Sequence, residues 1–153
     1  SIGVDDDKHY PKNPGEATRW LQQSRNDLEN AQWSLKSGPP FNAHACFQSH
    51  QVVEKCLKGM LFYSCGISGQ LLGSHEVIEL ACKVSEETGE LNDQNLKLVR
   101  QVATYYLSTR YPNRQRDNII PAKAFNENEA ETAVEAASSV LKLAEEYCSK
   151  KKQ

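Results

Sequence analysis

Residues Asn42 to Ser64 read NAHACFQSHQVVEKCLKGMLFYS, and this stretch decides the fold. Ala45, Val52, Val53, Cys56, Leu57, Met60 and Leu61 recur at helical steps and fill one broad apolar face. Gln51, Glu54, Lys55 and Lys58 fall on the opposite side. No alternation of apolar and polar residues competes with this period anywhere in the chain, so the fold class is all-α. Gly59 costs such a helix up to ~1 kcal/mol relative to alanine. Close approach of a neighbouring helix would explain it.

Outward from this helix, breaks and stripes define four more. On its N-terminal side, Asn13-Pro14-Gly15-Glu16 supplies a cap, a first-turn proline and a carboxylate. A helix from about Glu16 to Lys36 follows, with Ala17, Trp20, Leu21, Leu28, Ala31 and Leu35 as its stripe, until Ser37-Gly38-Pro39-Pro40 stops it. On the other side, Gly66-Ile67-Ser68-Gly69 is a break. A short helix capped by Ser74 then turns Val77, Leu80, Ala81 and Val84 inward and stops at Gly89. A fourth begins near Asn92, with the stripe Leu96, Val99, Val102, Ala103, Tyr106 and Leu107, and ends at Pro112. Residues Tyr111 to Phe125 read as a loop. The last helix starts at Asn126 with Glu129 as a capping-box partner, and small residues such as Ala133 and Ala137 mark its first half as a place for close packing or a dimer seam. About five helices with short connections imply an antiparallel bundle. The expected domain spans residues 14–149, with 1–13 outside the ordered fold and 150–153 a basic tail.

A length of 153 residues suits one domain, and 39% hydrophobic with 25% charged residues suits a globular one. The net charge of −2 gives no general attraction for polyanions, so nonspecific nucleic-acid binding is not expected and any anion site must be local. No run approaches the ~18 apolar residues of a membrane span. The polar N-terminus with Asp5, Asp6 and Asp7 does not read as a secretory signal. A start at Ser1 with Met60 the single methionine suits a piece of something larger, or removal of the initiator. Cys46, Cys56, Cys65, Cys82 and Cys148 form no Cys-x-x-Cys pair or zinc spacing, and read as small buried hydrophobes in a reducing compartment. No metal site is expected.

Charge is concentrated in one place. Arg100, Arg110, Arg114 and Arg116 lie in a run without a carboxylate, among Tyr105, Tyr106, Tyr111 and Asn113. A guanidinium fork grips phosphate through paired hydrogen bonds, and tyrosine can stack on a base. The plainer alternative pairs these arginines with Glu127, Glu129, Glu131 or Glu135 of the last helix, within or between chains. His50, Glu54 and Lys58, spaced by four, share a helix face, with Lys55 one step round. They read either as an exposed salt-bridge ladder or as a source of a phosphate-binding lysine.

Two stretches carry a family resemblance. The second helix includes His50-Gln51-Val52-Val53-Glu54-Lys55-Cys56-Leu57-Lys58, and the fourth ends Thr109-Arg110-Tyr111-Pro112-Asn113. Together with Trp20-Leu21 and Asp27-Leu28, they resemble a HEPN domain over about Glu16 to Cys148. The resemblance implies a helical bundle that forms a homodimer and binds a nucleoside triphosphate such as GTP or ATP, in a positively lined cavity at or near the dimer interface. It requires no cofactor beyond that ligand, which would bring any Mg²⁺ with it. It further implies a cytoplasmic role inside a large chaperone-like protein, with other chaperones as partners. The residues carried over are Lys55, Lys58, Arg110, Tyr111 and Asn113; the charge argument adds Tyr106, Arg114 and Arg116.

One departure bears on activity. Many HEPN proteins are metal-independent ribonucleases that use an Arg and a His separated by four to six residues. After Arg110 those positions hold Gln115, Arg116 and Asp117, and no histidine follows His75. Without an imidazole there to move a proton or position the phosphate, the chain is expected not to be an enzyme of that kind.

Overall fold

The computed structural model describes residues 3–115 and 119–150. Asn13 opens α1 (Pro14–Ser37) by accepting from the Glu16 amide at 3.0 Å, and Gly38 closes it at φ +98°. After one turn of 3₁₀ helix (Pro39–Phe41), α2 (Asn42–Ser64) runs back against it. The buried line of α1 is Ala17, Leu21, Ser24, Leu28, Ala31 and Ser34. The two serines inside the seam are satisfied by the Val52 carbonyl at 3.4 Å and the Gln48 side chain at 2.9 Å. Trp20 and Leu35, expected inward, sit half-buried at its edge. A Cβ on Gly59 would stand 3.2 Å from Leu21 Cδ2, so close approach of α1 does account for that glycine.

Helix α2 is the axis of the bundle. Sixteen of its 23 residues are buried, so it presents no free face; α1, α4 (Val77–Thr88), α5 (Asp93–Val102) and α8 (Glu127–Cys148) surround it. Asn92 and Asn95 cap α5 reciprocally, each side chain accepting from the other's amide, at 2.8 and 3.0 Å. Asn126 caps α8 through the Glu129 amide at 2.7 Å. Ala133 and Ala137 are fully buried inside this bundle, which removes them as a dimer seam.

Three expectations are corrected. First, residues 3–13 do not lie outside the fold. β1 (His9–Tyr10) pairs antiparallel with β2 (Ile67–Ser68), and α3 (Gly69–Leu72) follows. The strap lies so close that a Cβ on Gly66 would stand 2.4 Å from the Tyr10 carbonyl oxygen, and one on Gly69 only 1.8 Å from that of Asp5. Second, α4 starts after Glu76; the Ser74 hydroxyl accepts from the Glu76 amide at 3.0 Å and shapes the turn before it. Third, the fourth predicted helix is broken at Ala103–Thr104, and Tyr106 and Leu107 belong to the separate short α6 (Tyr105–Ser108). Thr104, Tyr105 and Tyr106 are weak helix formers, and the two tyrosine rings pack on Phe125 and on His75 respectively. The loop beyond contains a 3₁₀ turn (Pro112–Arg114) and α7 (Pro121–Ala124). Arg116 and the lysines after Lys150 lie outside the described residues.

Candidate functional site

The expected exposed ladder on α2 is instead an interior charge cluster. Glu54 and Lys58 side chains are only 6% and 3% exposed, and Lys58 Nζ donates to Glu54 Oε2 at 2.9 Å. The i,i+4 spacing holds, but α4 and the Gly73–Glu76 turn cover that face. The second Glu54 oxygen lies 2.9 Å from His75 Nδ1. A carboxylate ionised beside Lys58 only accepts, so Nδ1 carries the proton and Nε2 is the imidazole's free nitrogen. His50 lies at the inner end, with Nδ1 4.0 Å from Glu54 Oε1. Burial lowers its pKa to about 4, although Glu54 opposes the shift. His50 is therefore neutral at physiological pH.

An aromatic stack connects this cluster to the arginines. His75 lies face to face with Tyr106, centroids 4.0 Å apart and planes within 11°. The Arg110 guanidinium lies 4.5 Å from the Tyr106 ring centre and so takes the face that His75 leaves. It is also 4.5 Å from the Phe47 ring and 5.2 Å from that of Tyr111. Arg110 Nε donates to the Tyr106 carbonyl at 2.9 Å. This fixes the guanidinium by cation–π attraction and one hydrogen bond, while its terminal nitrogens have no partner among the described residues.

Next to the stack is a cleft of about 310 Å³, lined by His75, Glu76, Thr104, Tyr106, Ser108 and Arg114 among others. Among the described residues, neither Arg110 nor Arg114 forms an ion pair, and none of Glu127, Glu129, Glu131 and Glu135 pairs with an arginine. The plainer alternative therefore has no intrachain form there.

The predicted site residues separate accordingly. Tyr106, Arg110, Tyr111 and Arg114 come together around the cleft and stack. Asn113 is exposed on the 3₁₀ turn between Tyr111 and Arg114. Lys58 is committed to Glu54 below. Lys55 points towards α1, where it pairs with Asp27. The open groove there, about 610 Å³, is larger than the cleft, but its cations Lys55 and Arg19 already have carboxylate partners in Asp27 and Glu16. With both faces covered, Tyr106 has none left for a base; Tyr111, 47% exposed, does. Sequence reasoning missed His75 and Phe47. His75 comes from a turn with no periodic signal, and only the tertiary fold brings it to Glu54 and Tyr106.

Among the described residues, no three His, Cys, Asp or Glu side chains are grouped to hold a metal ion, and no helix is long and apolar enough to cross a membrane. Cys46 and Cys56 are buried as expected, whereas Cys82 is exposed.

Comparison with known proteins adds three findings. The HEPN domain profile matches residues 17–147. The crystal structure of TT1696 from Thermus thermophilus is similar, with a TM-score of 0.76 at 29% identity, over 86% of this chain and 97% of that one. ST0689, an archaeal HEPN homologue, is similar in fold, with a TM-score of 0.62 at 23% identity over the same shares. No curated protein matches the chain.

Proposed function

The chain belongs to the HEPN domain family, and on that premise we propose that it binds a nucleoside triphosphate such as GTP or ATP, as a homodimer and without catalysis. One observation carries the reading: Arg110 is clamped among Phe47, Tyr106 and Tyr111 with no carboxylate partner among the described residues, beside a cleft that Arg114 also lines. A cation held in place by rings, with free terminal donors, is preorganised for an anion. At about 310 Å³ the cleft is at the lower edge of the ~300–1,000 Å³ usual for ligand pockets. It accommodates a phosphate chain better than a whole nucleotide. The nucleoside would extend over exposed Tyr111, or onto a second protomer, which favours a site completed by dimerisation. The missing Arg–His spacing supports binding over ribonuclease chemistry.

The wording of the α2 and Thr109–Asn113 motifs further resembles the C-terminal HEPN domain of sacsin, a very large chaperone-like protein. On that basis the parent role is cytoplasmic chaperoning, with other chaperones as partners.

Calorimetry with GTP tests the site. Wild type should bind, and Arg110→Ala with Arg114→Ala should weaken binding at least roughly tenfold, the loss of charge-assisted hydrogen bonds. Equal binding by the double variant rejects the cleft. A second reading, a structural dimerisation module, is favoured by one fact: the glutamates at the start of α8 have no arginine partner among the described residues, leaving them free for a second copy. If Arg114→Glu dissociates a dimer and Glu131→Arg restores it, the patch is an interface instead.

A further inference from the structure

We propose that His75 is a third phosphate ligand of the cleft, held by Glu54 at Nδ1 so that Nε2–H meets the anion, and that ligand binding takes up a proton there. The inference rests on the phosphate reading of the same cleft. Its basis is geometric. His75 lines the cleft with Arg114, its side chain is 41% exposed, and its ring is fixed on one side by Glu54 at 2.9 Å and on its face by Tyr106 at 4.0 Å. One nitrogen is thus tied to the interior, and the other, across the ring, has no partner among the described residues. A ring locked in this way offers one directed donor, and that donor is charged only when the imidazole is protonated.

The surrounding groups set the balance. From α2, Glu54 faces His75 and is shared with Lys58, while neutral His50 adds no charge. From α6, Tyr106 stacks on it. Within the cleft, Glu76 and Arg114 oppose one another in sign. Lys58 already pairs with Glu54 at 2.9 Å, and a polyphosphate in the cleft would place new negative charge on the open side of the His75 ring. Linkage then requires that protonation and binding strengthen each other equally.

The probe is inorganic triphosphate, titrated calorimetrically at pH 7.5 in two buffers of different ionisation enthalpy. Wild type should take up a measurable fraction of a proton per site, with affinity falling by up to tenfold per pH unit as pH rises. His75→Gln should abolish that uptake and weaken binding roughly tenfold, as for a lost charge-assisted hydrogen bond. Ionisation of the free probe is the same for both proteins, so the difference in uptake reports the change at the site. His75→Phe retains a ring on Tyr106 but no donor, and should behave as His75→Gln if the nitrogen matters rather than the stack. Triphosphate binding with unchanged proton uptake in both variants overturns the role of His75 alone. No binding by wild type removes the phosphate reading, and this inference with it.

Discussion

Replacing Lys58 by methionine would leave Glu54 charged in the interior with only His75 beside it. An exposed pair is worth about 0–1 kcal/mol, but these side chains are 6% and 3% exposed, so the exposed case does not apply. Removing one partner of a buried pair costs ~3–5 kcal/mol, mostly the penalty of the stranded charge. For a chain of this length, each kcal/mol moves Tm by about 2–4 °C, so the loss is roughly 6–20 °C. The double variant Glu54→Gln, Lys58→Met removes both charges, while the new amide oxygen still accepts from His75. It should lose only ~1–3 kcal/mol, the cost of an amide left partly unsatisfied. Methionine retains the apolar contact of the Lys58 stem near Trp20, whose ring centre is 5.6 Å from Nζ. Urea unfolding of both variants and wild type measures this. A single variant within about 1 kcal/mol of wild type, or a double variant less stable than the single, refutes the buried-charge argument.

Three further outcomes follow from local geometry. Gly69→Ala places a Cβ against the Asp5 carbonyl oxygen, 1.8 Å away, so the N-terminal strap must lift; hydrogen exchange should speed up over residues 5–12 while α2 retains its protection. His50 titrates near 4 when folded against ~6.5 when unfolded, so the unfolded chain takes its proton first. Stability from this group is full above about pH 6.5 and falls by about 3 kcal/mol towards pH 4; His50→Phe should flatten that part of the unfolding profile, and an unchanged slope counts against it. Burial pushes the Cys46, Cys56 and Cys148 thiols up to about 12, whereas Cys82 is exposed, so alkylation at pH 8 should label Cys82 first, as peptide mapping would show.

The bundle was legible because its long helices announce themselves locally. The α2 stripe, the Asn13 and Asn126 caps and the Gly38 and Gly89 stops are all nearest-neighbour signals, and each sits at or beside the observed boundary. What period alone does not contain is which polar residues a third helix will cover. Glu54 and Lys58 have the spacing of a surface ladder and became interior because α4 and its preceding turn fall on that side. The break at Ala103 and the β1–β2 pairing likewise depend on tertiary contacts, two residues being too short to alternate. The arginine cluster could be seen from composition. Its organisation could not, since Phe47, His75 and Tyr106 come from three separate elements.

The split between α5 and α6 governs how the cleft's rim is fastened. An unbroken helix would carry Arg110 outward on a cooperative main-chain ladder, indifferent to its side chains. Here a four-residue turn is moored by a cation and its flanking rings. Loosening that mooring frees the rim while the scaffold beneath stays intact, so widening of the cleft and unfolding of the domain are separately adjustable quantities.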